Sequence, residues 1–207
     1  MRPLPRLHAF TDPAIVRAAD FGVRAAAIAA GGPAVALHAR ARGESGALLT
    51  TVALRLVALA RPPEAAVFVS GRSDVAAAVG AAGVQLANDD LAPRDARGVF
   101  PVGWLGRSVH SVTEARTAVS EGCDFLVVGN VYETASHPGR PAAGLELIAS
   151  TVELGLPVIA IGGITPERIS EVHRAGAYGV AAIRSLWHAA DPAAAALALL
   201  APWMNET

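Results

Sequence analysis

The sequence contains no lysine; all 17 residues of the Lys/Arg class are arginine. That removes Schiff-base chemistry on a lysine, and with it lysine aldolases and pyridoxal-phosphate enzymes. Any phosphate must be held by arginine, backbone N–H groups, hydroxyls or a metal ion. Cysteine is almost absent. Cys123 stands alone, so neither an intrachain disulfide nor a cysteine zinc cluster can form. The six histidines show no H-E-x-x-H or comparable metal spacing. No stretch of about 18 residues is apolar and free enough of charge, glycine and proline to span a bilayer. The opening Met1-Arg2-Pro3-Leu4-Pro5-Arg6 lacks the apolar run of a signal peptide, so a soluble cytoplasmic protein is expected. A net charge of −1 leaves no electrostatic footprint for nucleic acid or an anionic membrane.

What remains is a chain of 207 residues, 53% hydrophobic and 17% charged, with 46 alanines. A single domain over 1–207 with a sizeable core is expected. Short apolar runs alternate with longer alanine-rich segments. The runs at 7–10, 34–38, 66–69, 83–86, 102–105, 125–128, 158–161 and 179–183 have strand length. Helical segments fall at 14–30, 46–60, 73–82, 112–121, 144–153, 165–174 and 192–203, with a weaker one at 93–98. Asp12-Pro13, Thr165-Pro166 and Asp191-Pro192 read as N-caps followed by proline at the first helical position. Ser111-x-x-Glu114 reads as a capping box, and Gly31, Gly122, Gly155 and Gly176 as helix stops.

Eight strands in strict alternation with helices imply parallel pairing through crossovers, and so a small (β/α)₈ TIM barrel of the α/β class. The rival, a doubly wound open sheet, is weakened because no G-x-G-x-x-G follows the first strand. In a barrel, chemistry is confined to the strand C-terminal ends and the loops after them.

That confinement selects the candidate residues. Gly162-Gly163 after strand 7, with Arg184 and Ser185 after strand 8, fit a phosphate site of backbone N–H groups and added donors. Asp90 in Asn88-Asp89-Asp90 is a candidate Mg²⁺ ligand. Ser108 and His110 lie two apart after strand 5 and suit ligand contact or proton transfer. Asn130, Glu133 and Thr134 follow strand 6. The Gly/Pro-rich loop after them is long enough to be a lid, and its His137 and Arg140 are either a phosphate clamp or part of a solvated loop. Cys123, Trp187 and Trp203 read as packing residues, and His8 as a core histidine.

In order, these strand-end motifs resemble the thiamine phosphate synthase/TenI family of small TIM barrels. The residues that carry the resemblance are Gly106-Arg107-Ser108-Val109-His110-Ser111, Gly129-x-Val131-Tyr132-Glu133-Thr134, Ile161-Gly162-Gly163-Ile164-Thr165-Pro166 and Gly176-Ala177-x-Gly179-Val180-Ala181. Gly83-Val84-Gln85-Leu86 and Leu7-His8-Ala9-Phe10-Thr11-Asp12 complete the set. The resemblance implies a thiazole phosphate ligand, its phosphate held by Gly162, Gly163, Ile183 and Ser185. For a synthase it further implies a pyrimidine diphosphate, Mg²⁺, and a basic pair on strand 2, here His38 and Arg40. The Asn-Asp expected after strand 3 reads Ser70-Gly71, which leaves Asp90 as the metal carboxylate. The Thr-x-Thr-Lys expected after strand 6 reads Thr134-Ala135-Ser136-His137.

Gly71 and the Val-x-Glu-Thr of strand 6 point to the TenI branch, the thiazole tautomerases. Those need a phosphate anchor and a base but no cofactor. The histidine expected there for proton transfer is Asn130 in this chain. The leading expectation is therefore a thiazole tautomerase with His110, Asn130 and Glu133 as catalytic residues. His38, Arg40, Ser108, Thr134, His137, Gly162, Gly163, Ile183, Arg184 and Ser185 would bind substrate. The alternatives are a Mg²⁺-dependent thiamine phosphate synthase using Asp90, and a non-catalytic phosphate-ligand binder. A homodimer is compatible with each; nucleic-acid and membrane partners are not expected.

Overall fold

Eight apolar runs form parallel strands: β1 (Leu7–Phe10), β2 (Val35–Ala39), β3 (Ala66–Ser70), β4 (Gly83–Leu86), β5 (Trp104–Val109), β6 (Phe125–Val128), β7 (Val158–Ile161) and β8 (Gly179–Ala182). The computed structural model describes residues 2–60, 64–133 and 141–204. The strands pair in chain order, and β8 returns to β1 with Leu7 opposite Val180, closing a barrel. The expected (β/α)₈ fold is thus observed.

Side-chain alternation along each strand divides the core in two. Phe10, Ala36, Phe68, Phe125, Val127, Ile159 and Ala181 fill the barrel interior. Leu7, Ala9, Val35, Leu37, Val67, Val69, Leu126 and Val128 belong to the larger cluster that the helices share. Such double-sided burial explains why the strands read as continuous apolar runs rather than alternating ones.

The helices among the described residues are α1 (Pro13–Arg17), α2 (Phe21–Ala29), α3 (Gly46–Leu59), α4 (Ser73–Val79), α5 (Pro93–Val99), α6 (Val112–Ser120), α7 (Gly144–Val152), α8 (Ile169–Arg174), α9 (Arg184–Trp187) and α10 (Pro192–Leu200). Asp12 and Asp191 cap α1 and α10, accepting from Ile15 N at 2.9 Å and Ala194 N at 3.0 Å. Gly122, Gly155 and Gly176 adopt positive φ as expected of helix stops. After α2 that role falls to Gly32 rather than Gly31.

Three expectations need correction. The helix expected over 14–30 is two helices, because Ala18 turns extended (φ −63°, ψ 140°). The break lets Phe21 bury against Trp187, with ring centroids 5.6 Å apart; tertiary packing overrides alanine's helix propensity. Strand 5 starts at Trp104 and runs to Val109, so Arg107 and Ser108 lie within the strand, not after it. The helix expected from Thr165 begins at Ile169, because the residues before it form a turn closed by Arg168 N to Thr165 O. No helix among the described residues is long and apolar enough to cross a membrane.

Candidate active site

The C-terminal ends of the strands form one rim, and contacts between neighbouring strand ends run along most of it. Between β1 and β2, Thr11 is fully buried and its Oγ1 takes Arg40 N–H at 2.9 Å. The same hydroxyl lies 2.9 Å from the carbonyls of both His38 and Arg40. Thr11 therefore fixes the backbone at Arg40 rather than a ligand. Arg40 is half-buried at the mouth, and burial, reinforced by the Arg42 charge, lowers its pKa from the usual guanidinium value.

His38 lies near the C-terminal end of β2, one layer below the mouth. It is fully buried, stacked between Phe10 (centroids 3.9 Å apart) and Phe68 (5.0 Å), and bonded through Nε2 to His8 Nδ1 at 2.8 Å. His38 thus differs from its expected partner Arg40 in being enclosed by aromatic rings, with Nδ1 left without a hydrogen-bond partner among the described residues. Burial, aided by the His8 and Arg40 charges, holds its pKa well below the ordinary imidazole value, so it is neutral and part of the floor.

Between β3 and β4, the Asp90 carboxylate folds over Gly71. Its Oδ2 accepts from Ala87 N at 2.6 Å, and a Cβ on Gly71 would lie 2.9 Å from Oδ1. Asp89 points elsewhere, to Arg42 at 2.8 and 3.0 Å. Arg107 braces this loop, donating to Leu91 O at 2.9 Å. Among the described residues no three His, Cys, Asp or Glu side chains gather as a metal cage. Mg²⁺ commonly needs only one or two carboxylates plus substrate phosphates. Oδ1 of Asp90 fits that role.

Between β4 and β5, Gln85 donates to Ser108 Oγ at 2.9 Å and to Leu86 O at 3.0 Å. Three buried polar atoms at these strand ends, His38 Nδ1, Ser70 Oγ and Gln85 Oε1, have no hydrogen-bond partner among the described residues.

Between β5 and β6, His110 Nδ1 bonds to the Gly129 carbonyl. A carbonyl only accepts, so Nδ1 carries the proton and neutral His110 keeps its lone pair on Nε2. Glu114 holds the backbone from below: its Oε2 takes His110 N–H at 2.7 Å, while Ser111 Oγ takes Glu114 N–H at 3.2 Å. The expected capping box is present in half, its glutamate reaching one residue further back.

Asn130 is buried, and its amide Nδ2 donates to Tyr132 O at 3.3 Å. Glu133 is exposed. Thr134 and His137 lie outside the described residues.

Gly162 and Gly163 adopt φ of +103° and +65°, a backbone shape that side-chain-bearing residues rarely take. No N–H of Gly162, Gly163 or Ser185 donates to a backbone carbonyl among the described residues. Both glycines also sit under the strand-6 loop. A Cβ on Gly162 would meet Asn130 Cβ at 2.6 Å, and one on Gly163 would meet Tyr132 Cβ at 2.7 Å. Behind the turn, Arg168 donates to Gly163 O at 2.9 Å with its guanidinium 4.3 Å from the Tyr132 ring centroid. Tyr132 in turn donates to Glu171 at 2.5 Å. Ile183 ends the wall half-buried, followed by exposed Arg184 and half-buried Ser185 at the start of α9.

The rim thus holds Arg40, Asp90, Ser108, His110, Asn130, Gly162, Gly163, Ile183, Arg184 and Ser185. His38 lies beneath it, Gln85 is a polar strand-end residue that acts as a support, and Arg168 is a support that sequence reasoning missed. The motif Gly83-Val84-Gln85-Leu86 carried a signal, since glutamine is out of place in an apolar strand unless bonded. A cavity of about 990 Å³ lies at the opposite end, lined by Pro5, Val57, Ala66, Ala82 and Trp104. Its charged groups, Arg2 and Glu64, pair with each other at 3.2 Å, so it offers little to a phosphate.

Residues 7–186 match the family model described as thiamine monophosphate synthase. The thiamine-phosphate synthase of Thermus thermophilus is 45% identical over 147 residues, covering 70% of this chain and 71% of its own. That of Salinispora tropica is 38% identical over 205 residues, covering 97% and 98%. Among solved structures, thiamine phosphate pyrophosphorylase from Pyrococcus furiosus superposes with a TM-score of 0.80 at 31% identity, over 94% of this chain and 93% of the other. These relatives carry the synthase name, which favours the synthase alternative over the tautomerase that led the sequence reading.

Proposed function

Because the chain belongs to the thiamine monophosphate synthase family, we propose that it joins a pyrimidine diphosphate to a thiazole phosphate with release of pyrophosphate. The thiazole nitrogen lone pair forms the new C–N bond as the C–O bond to pyrophosphate breaks, so no general base is required. Gly162 and Gly163, with Ile183 and Ser185, hold the thiazole phosphate through backbone N–H groups. Arg40 faces the diphosphate from β2. Asp90 Oδ1, with substrate phosphate oxygens, would hold Mg²⁺, which when bound offsets the negative charge of the departing pyrophosphate.

One observation carries the choice of synthase over tautomerase. The position expected to shuttle a proton in a tautomerase is Asn130, a buried amide donating to Tyr132 O. An amide cannot act as a general acid or base at neutral pH, and loss of such a group costs about 10²–10⁴-fold. A second reading rests on His110, whose Nε2 lone pair could serve as base for thiazole tautomerisation.

The test supplies both substrates with Mg²⁺ and follows pyrophosphate and thiamine phosphate together. Stoichiometric formation of the two is expected, with turnover falling at least about tenfold on chelation of the metal. Metal-independent deuterium exchange on the thiazole carboxylate, with no pyrophosphate released, would replace this reading by the second.

A further inference from the structure

Gln85 occupies an interior position of β4 and is 3% exposed. Its amide can be oriented in only one way. The Leu86 carbonyl, 3.0 Å away, only accepts, so the nitrogen must lie on that side. The same NH₂ reaches Ser108 Oγ at 2.9 Å. Both amide hydrogens are then used, and Ser108 is an acceptor toward Gln85. The serine's own O–H is left to be donated elsewhere.

The space over Gly106 shows that the arrangement is built. Gly106 stands opposite Gln85 in the β4–β5 register. A Cβ there would meet Gln85 Oε1 at 2.4 Å and Phe125 Cζ at 2.2 Å. Only glycine at 106 lets the amide lie flat against the wall with its nitrogen on Ser108.

We propose that Gln85 is a positioning residue that fixes the Ser108 hydroxyl as a hydrogen-bond donor to an acceptor atom of the substrate. Gln85 itself does not touch the substrate. The proposal rests on the synthase reading for its substrate but not for its geometry. It follows that replacing the amide by a group that cannot donate reverses the serine: Ser108 donates inward and presents a lone pair to an atom that also has one.

The test is a double-mutant cycle of Gln85→Glu and Ser108→Ala, read as kcat and KM across pH and as the Kd for thiamine phosphate. A carboxylate at 85 accepts from Ser108, whereas a carboxylic acid can donate to it. The neighbours packed on position 85, Ser70, Gly106, Ser108 and Phe125, do not titrate in the working range. The Gln85→Glu variant is expected to lose about 10- to 100-fold in kcat/KM at pH 8 and to regain most of it on acidification. In the Ser108→Ala background the same substitution is expected to change kcat/KM less than about threefold and to show no acid recovery. Gln85→Met, which keeps the volume, serves as the folding control and should show a pH-independent loss. An equal, pH-independent loss for Gln85→Glu with and without Ser108 would overturn the proposal. If the wild type forms no thiamine phosphate yet binds it, the cycle in Kd still decides the role of Gln85 while the synthase reading falls. Absence of both turnover and binding removes both.

Discussion

Pro5 offers His8 only an acceptor, 3.0 Å from Nε2. In the neutral pair, therefore, His8 Nε2 carries the proton, its Nδ1 accepts, and His38 Nε2–H donates. Burial pushes the His8 pKa down to about 4, against a smaller upward pull from the Pro5 carbonyl, and His38 lies well below the ordinary value as well. A depressed histidine pKa means the folded state binds fewer protons than the unfolded one. Stability from the neutral pair is then complete above about pH 6.5 and lost as pH falls toward 4. For His8 alone the loss amounts to about 3 kcal/mol at its limit. Urea unfolding between pH 7 and 4 should show a steep fall in stability that flattens in His8→Asn. An unchanged slope would place the acid sensitivity elsewhere.

At Gly163 the expected outcome is functional. Gly163→Ala puts a methyl group 2.7 Å from Tyr132 Cβ at φ +65°. It should raise the Kd for thiazole phosphate at least about tenfold by calorimetry, at a stability cost of about 1–2 kcal/mol. The turn at Gly162-Gly163 was legible in the sequence because a Gly-Gly pair after a strand marks a positive-φ backbone. His38 was not. A histidine at the end of β2 looks the same in sequence whether it faces the mouth or the floor, and only the stacking of Phe10 and Phe68 decides it.

The turn between β7 and α8 is held by side chains from two directions. Arg168 donates to Gly163 O and covers the Tyr132 ring, and Tyr132 is tied to Glu171 on α8. Burial and the Glu171 contact push the Tyr132 hydroxyl up to about 12, so it stays a donor throughout the working range. Arg168→Ala should raise the KM for thiazole phosphate about 3- to 30-fold and lower the melting temperature by only a few degrees. A large stability loss with unchanged KM would make Arg168 a packing residue only. At this scale most of the fold was legible. The strands at 7–10, 83–86, 125–128 and 158–161 were read to the residue; all but 83–86 are short runs closed by a threonine or glycine at the next position. The beginning of α8 was misread because Thr165-Pro166 has the composition of a cap, while Arg168 is drawn back to Gly163. The end of β5 was misread because Arg107 and Ser108 are polar yet belong to the sheet, one strapping the Asn88–Leu91 loop and the other facing the mouth.

The molecule as a whole separates stability from chemistry by its two ends. Trp104 closes the N-terminal end, half-buried, with Nε1 donating to Arg2 O at 3.2 Å. Trp104→Ala should cost about 2–4 kcal/mol of unfolding free energy and leave the KM for both substrates unchanged. A change in KM without a change in stability would show that the two ends are coupled. The absence of lysine acts at this scale too. Every cation at the rim is a guanidinium, and several are already bonded to backbone carbonyls or carboxylates. Under the proposed function, phosphate recognition would then fall largely to glycine N–H groups, whose positions are set by the ends of the strands.

The seam between β1 and β8 governs how the chain can be assembled. Leu7, His8 and Ala9 have their partners on Val180, Ala181 and Ala182, so a polypeptide emerging from the ribosome carries the outer flank of its first strand unpaired until β8 is made. Through synthesis that flank can pair with strands of other molecules. Slowing translation between β7 and β8 should therefore lower the soluble yield far more than slowing any earlier stretch.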